Sequence, residues 1–215
     1  MPKDPHGLFS PNRPTKILVM RHPETLQNLE RRYQGQINTA LSETGETQCQ
    51  RAISGLIAWQ PDVLIASPLD RCMAVACPVA EALELNLETD VRLMEMAFGE
   101  LEGLDHNEAI AKGFGFPWDP SAGVWPVAGA ETLEQFASRV ISAADEISSR
   151  QGRIAVVTHG GVIRALTAYW MQISAPQFWA MAVRNVESSC YSLDEQGTIY
   201  LESFGLKPEW LGELV

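Results

Sequence analysis

Positive charge is scarce in this 215-residue sequence: 16 Lys and Arg stand against 27 Asp and Glu, a formal net charge of −11. A surface of that sign repels nucleic acid and anionic membranes over most of its area, so neither is an expected partner. Long apolar runs are missing as well, and no stretch is long enough to cross a bilayer. Residues 1–15 are rich in proline and polar side chains and lack the apolar centre of a secretory signal; they are expected to form a loosely ordered tail. Cysteine is sparse. Cys49, Cys72, Cys77 and Cys190 form no CxxC pair and have no metal-ligand spacing with histidine, and their apolar contexts predict reduced, buried thiols in a cytoplasmic protein. No GxSxG, GxxxxGK[ST] or HExxH motif occurs, nor any internal repeat. No metal or cofactor is expected.

What is present suits one domain over residues 16–215, with 46% apolar and 20% charged residues. Strand-like apolar runs occur at 16–21, 63–66 and 154–158. Each is followed by helix-start chemistry or by a helical period. Ser42 precedes a helix with Cys49, Ala52, Ile53, Leu56 and Ile57 on one stripe. Ser67-Pro68 reads as a cap with proline at the first helical position, and Pro78 falls inside the helix that follows. Residues 86–130 look irregular, with an insertion or lid around 100–130. Its Phe114, Phe116, Trp118 and Trp125 are expected to pack the lid against the sheet rather than to stack on a ligand. Helical period returns from Glu131 through Leu133, Phe136, Val140, Ala144 and Ile147, and again over 160–171. The segments 191–193 and 198–202 flank Asp194-Glu195-Gln196-Gly197 as an edge hairpin. Strands alternating with helices predict an α/β fold, a three-layer α/β/α sandwich on a mostly parallel central sheet. Its exposed edge makes a second copy of the chain a candidate partner.

Two of the strand-like runs end on a histidine, in Met20-Arg21-His22-Pro23-Glu24 and Val157-Thr158-His159-Gly160-Gly161. Chemistry in open parallel sheets collects at the carboxyl ends of strands. Phosphoryl transfer needs a nucleophile and positive charge on the phosphate oxygens. His22 could attack phosphorus if it is neutral, and neighbouring arginines favour that by lowering an imidazole pKa. Arg21 and Arg71 offer planar forks for phosphate oxygens, and the Gly160 amide at a helix start could add a donor. A single strand-end histidine or arginine is usually a packed or solvated residue; the weight lies in their joint occurrence.

Five ordered blocks carry a resemblance. Arg21-His22-Pro23-Glu24-Thr25 with Asn28, Gln34-Gly35 and Leu41-Ser42-Glu43-Thr44-Gly45 comes first. Ser67-Pro68-Leu69-Asp70-Arg71-Cys72 is second, and residues 93–103, with Glu95, are third. Gly129-Ala130-Glu131-Thr132 and Val157-Thr158-His159-Gly160-Gly161 close the series. In this order they resemble the histidine phosphatase superfamily, the phosphoglycerate mutase-like fold, in its branch of small phosphatases similar to α-ribazole phosphatase. The resemblance implies a metal-independent phosphomonoesterase acting on a small phosphorylated metabolite through a phosphohistidine. It implies His22 as nucleophile, Glu95 as the acid for the leaving oxygen, Arg21, Arg71 and His159 as the phosphate pocket, and Asn28, Gln34 and Gly160 as further phosphate or substrate contacts. The alternatives are mutase-type phosphoryl transfer and a non-catalytic phospholigand-binding homologue. One position departs from the family: Pro23 stands where glycine is usual, which removes a backbone donor beside His22.

Overall fold

A six-stranded sheet in the order β3-β2-β4-β1-β5-β6 organises the chain. It is seen in a computed structural model that describes residues 15–214. The expected tail lies outside those residues apart from Thr15, which opens the first strand. The strands are β1 (Thr15–Arg21), β2 (Val63–Ala66), β3 (Leu87–Thr89), β4 (Arg153–Thr158), β5 (Ser188–Leu193) and β6 (Ile199–Leu206). The helices are α1 (Leu26–Leu29), α2 (Glu43–Trp59), α3 (Asp70–Leu83), α4 (His106–Ala111), α5 (Leu133–Ser148), α6 (Gly160–Trp170) and α7 (Ala175–Phe178). β1 to β4 are mutually parallel where they pair, whereas β5 runs antiparallel to β1 and to β6, the outer edge.

β1 shows why its run is apolar without a break. Ile17 and Val19 enter the core shared with α5 and α6, while Leu18 and Met20 enter the core shared with α2 and α3. A strand covered on both faces needs apolar residues at successive positions. The same split places Ile154 and Val156 of β4 on one side and Ala155 and Val157 on the other. The result is the three-layer sandwich that the alternating pattern predicts. Among the described residues no helix is long and apolar enough to cross a membrane.

Local chemistry explains most boundaries. Ser42 caps α2 by accepting from the Gly45 amide and donates its hydroxyl to Glu24 at 2.6 Å. A β-carbon at Gly45 would run into the Glu24 carbonyl oxygen, so this close approach requires glycine. Thr132 and Gln135 form a reciprocal capping box on α5.

Four expectations need correction. The helix after β2 starts at Asp70, not at Pro68; the Ser67 hydroxyl lies 2.7 Å from His159 and accepts from the Leu69 amide at 3.4 Å, ahead of the helix. Cys77 is exposed on the outer side of α3, unlike the other three thiols, which are buried. Residues 86–130 are not wholly irregular: they hold β3, α4 and short 3₁₀ turns. The insertion closes on itself at a Phe98–Ala130 bridge, with the Glu100 amide on the Ala128 carbonyl at 3.1 Å. Most of its aromatics do not pack the lid against the sheet. Phe116 joins Leu101, Ala109 and Val127 in a small core of its own, Trp118 stacks on Phe116 at 5.3 Å, and only Trp125 also reaches the α5 side of the main core.

Candidate active site

The carboxyl ends of β1, β2 and β4 bring the two histidines and two arginines together, as an open parallel sheet does. His22 directly follows β1, is 2% exposed, and lies with its ring centroid 5.2 Å from that of His159. Its Nδ1 meets the Pro23 carbonyl at 2.6 Å, so Nδ1 carries the proton and donates it there. Nε2 then keeps a lone pair. Proline at position 23 still supplies that carbonyl, so replacing glycine costs only an amide proton. The His22 carbonyl accepts from the Asn185 side chain at 3.0 Å, which fixes the backbone from the other side.

Arg71, the second residue of α3, is 2% exposed and heavily engaged. Nε donates to His159 Nδ1 at 3.2 Å, Nη1 to the Ile37 carbonyl at 3.0 Å and Nη2 to the Gly35 carbonyl at 2.7 Å. One N–H on each terminal nitrogen remains. Since His159 Nδ1 accepts, its Nε2 carries the proton and donates to Ser67 at 2.7 Å. Both ring nitrogens of His159 therefore have partners within the protein.

Arg21 donates from Nη1 to the Val183 carbonyl at 2.7 Å, while its buried Nε has no partner among the described residues. Gln34 accepts from the Thr25 hydroxyl at 2.9 Å and likewise leaves Nε2 buried and unpartnered. Asn28 uses Oδ1 to accept from the Thr25 amide and from Asn185, both at 3.3 Å. Buried donors are rarely left unpaired, and here they accompany the spare N–H groups of Arg71. The arrangement suits a ligand that is an acceptor on every side.

Glu95 reaches this group from the loop after β3. Its Oε1 accepts from the Met96 amide at 3.0 Å and its Oε2 from the Gly161 amide at 3.2 Å. A β-carbon at Gly161 would collide with the Glu95 carboxylate, so the second glycine of the His159-Gly160-Gly161 block makes room for it. The Gly160 amide, first in α6, has no intrahelical acceptor.

Four residues that sequence reasoning missed complete the surroundings. Arg139 donates to the carbonyls of Met94 at 2.7 Å and Glu95 at 2.9 Å, and makes a two-point contact with Glu131. Gln36 adds a bond to the Glu95 carbonyl at 3.0 Å. Asn185 sits in a stretch with no periodic signal. Arg164 lies one helical turn beyond Gly160, a spacing that could have found it.

Burial, followed by the charges of Arg21 and Arg71, holds the His22 imidazole well below its ordinary value. His159 is held down by burial first and Arg71 next. Arg21 is brought to about 10, mainly by burial, and stays protonated at neutral pH. Burial also pushes the Cys72 thiol up to about 12, so it is no nucleophile.

A stability profile follows from the histidines. The unfolded chain protonates both below about pH 6.5, whereas the folded state resists. Their contribution is therefore complete above that pH and is lost as pH falls, by up to about 1.4 kcal/mol per unit for each ring. Urea melts between about pH 7.5 and 5 should show this decline; a flat profile would mean that the rings are not held neutral.

A neutral imidazole among guanidiniums at a sheet edge suits phosphoryl transfer, and comparison with known proteins agrees on the class. The sequence profile of the histidine phosphatase superfamily (branch 1) matches residues 17–204. The chain belongs to that superfamily and so to the phosphoric monoester hydrolases. It is 30% identical over 181 residues to glucosyl-3-phosphoglycerate phosphatase of Mycobacterium tuberculosis, covering 79% of this chain and 81% of that protein. It is 27% identical over 194 residues to phosphoserine phosphatase 1 of Hydrogenobacter thermophilus, covering 87% and 90%. The solved structure of a mycobacterial glucosyl-3-phosphoglycerate phosphatase superimposes with a TM-score of 0.78 at 26% identity, over 91% of this chain and 100% of that one.

Proposed function

We propose that this protein is a metal-independent phosphomonoesterase that hydrolyses a small phosphorylated metabolite through a phosphohistidine at His22. The observation that carries the reading is the 2.6 Å contact from His22 Nδ1 to the Pro23 carbonyl, which leaves Nε2 unprotonated and nucleophilic. In the first step the Nε2 lone pair forms a bond to phosphorus, the ester P–O bond breaks, and Glu95 gives its proton to the departing oxygen. In the second step Glu95 takes a proton from water, the resulting hydroxide attacks phosphorus, and the N–P bond breaks. Inorganic phosphate leaves and His22 returns to its neutral form.

Arg21, Arg71, Gln34 and the Gly160 amide stabilise the phosphoryl oxygens through both steps, with Asn28 at the rim. Fixed donors aimed at developing charge usually provide much of the acceleration in such reactions. His159 acts through Arg71, whose fork it holds. That both named relatives are phosphatases favours hydrolysis over mutase-type transfer.

The test is incubation with an aryl phosphate in EDTA. Turnover should persist, with one inorganic phosphate released per phenol. Turnover that requires an added metal ion, or 3- to 2-phosphoglycerate exchange without phosphate release, would count against the reading.

A further inference from the structure

We propose that Arg139 is the positioning residue for the acid: together with Glu131 it fixes the loop that carries Glu95, so that this carboxyl group stays within reach of the departing oxygen. This rests on the phosphatase reading above, in which Glu95 protonates that oxygen.

The observation is an arginine whose five N–H groups all go to one short loop and to the carboxylate that braces it. Nη1 donates to the Arg92 and Met94 carbonyls, each at 2.7 Å, and Nη2 donates to the Glu95 carbonyl at 2.9 Å. The second N–H of Nη2 and the one on Nε meet the two oxygens of Glu131, both at 2.7 Å. A guanidinium offers five donors in one rigid plane, and here none is left over. Residues 94–97 form no helix or strand, so side chains supply the bonds that regular structure gives elsewhere.

Glu131 holds the far end of the same loop. Its Oε2 accepts from the Ala97 amide at 2.8 Å, and its own amide donates to the Ala97 carbonyl at 2.9 Å. The pair therefore clamps the backbone on both sides of Glu95, whose carboxylate is left to accept from Met96 and Gly161. Arg139 is itself steadied from α5, with its guanidinium carbon 4.9 Å over the ring of Phe136, a residue of the main core. None of its donors is free for a phosphate oxygen, so its route to the reaction runs through Glu95. Its charge also acts on His159, after those of Arg71 and Arg21. A proton donor must come within about 3 Å of its target, and a displacement of about 1 Å can cost about 10²-fold in rate.

The test is Arg139→Lys, which keeps the charge but replaces the planar fork with a point-like ammonium that cannot span the same acceptors. Against butyl phosphate, whose alkoxide needs a proton, kcat/KM should fall by about 10²-fold. Against 4-nitrophenyl phosphate, whose phenolate leaves unaided, the loss should stay within about threefold. Glu131→Gln should shift the two substrates in the same sense by a smaller factor. The ratio of the two rates in one preparation does not depend on how much of it is folded. In a Glu95→Gln background, Arg139→Lys should cost butyl phosphate less than about a further twofold, because the acid it positions is gone. Equal losses on both substrates, wild-type rates on both, or a full additional loss in the double variant would overturn the proposal. A wild type that hydrolyses neither ester would instead bring down the phosphatase reading itself.

Discussion

Replacing His22 with alanine is expected to lower kcat toward an aryl phosphate by at least about 10⁴-fold. Nothing else in the site can take over the attack. His159 has both ring nitrogens engaged by Arg71 and Ser67, and the Cys72 thiol is pushed up by burial. The variant should still fold, because His22 shares no apolar cluster with its neighbours and its backbone bonds to Thr158 and Asn185 do not involve the ring. It should also lose less stability on acidification, having one fewer ring held neutral. Comparable rates for the variant and wild type would place the nucleophile elsewhere.

Glu95→Gln carries the second large effect, and its size should depend on the substrate. A glutamine is the same size but cannot deliver a proton to a leaving oxygen. For alkyl phosphates, whose alkoxides leave poorly, kcat/KM should fall by about 10² to 10⁴-fold. For aryl phosphates with stable phenolates the loss in kcat/KM should be far smaller. Because the same carboxylate serves the second step, the variant should accumulate phosphoenzyme and show a burst of phenol. Glutamine can also accept through only one oxygen where Glu95 accepts from both Met96 and Gly161, so Arg139 and Gln36 must hold the backbone in place for the comparison to be clean. Equal losses across leaving groups would remove Glu95 from the acid role.

Much of this fold was readable because burial on both sheet faces leaves a continuous apolar signature, as in β1 and β4. The helical stripes of α2 and α5 and the serine that starts α2 were equally plain. Reading failed where one residue's chemistry was claimed by a distant partner. Ser67 has the sequence character of a cap, but its hydroxyl also meets His159, far along the chain, and α3 begins at Asp70. Cys77 sits among apolar neighbours in sequence yet falls on the outer side of α3.

The site was legible in the same uneven way. His22, Arg21, Arg71 and His159 announce themselves because each ends a strand, directly follows one or lies in the first turn of the next helix. Arg139, Gln36 and Asn185 act through backbone carbonyls and amide groups brought together only by the fold, so no local pattern marks them. Pro23 removes an amide donor beside His22, yet it keeps the carbonyl that His22 Nδ1 contacts, which only the fold could show.

The most direct measurement is to quench the enzyme during turnover of an aryl phosphate and locate covalent phosphate on the digested chain. The account predicts acid-labile, base-stable phosphate on His22, present in larger amounts in Glu95→Gln and absent from His22→Ala. Turnover at the wild-type rate with no phosphate on His22, or with phosphate on another residue, would contradict it.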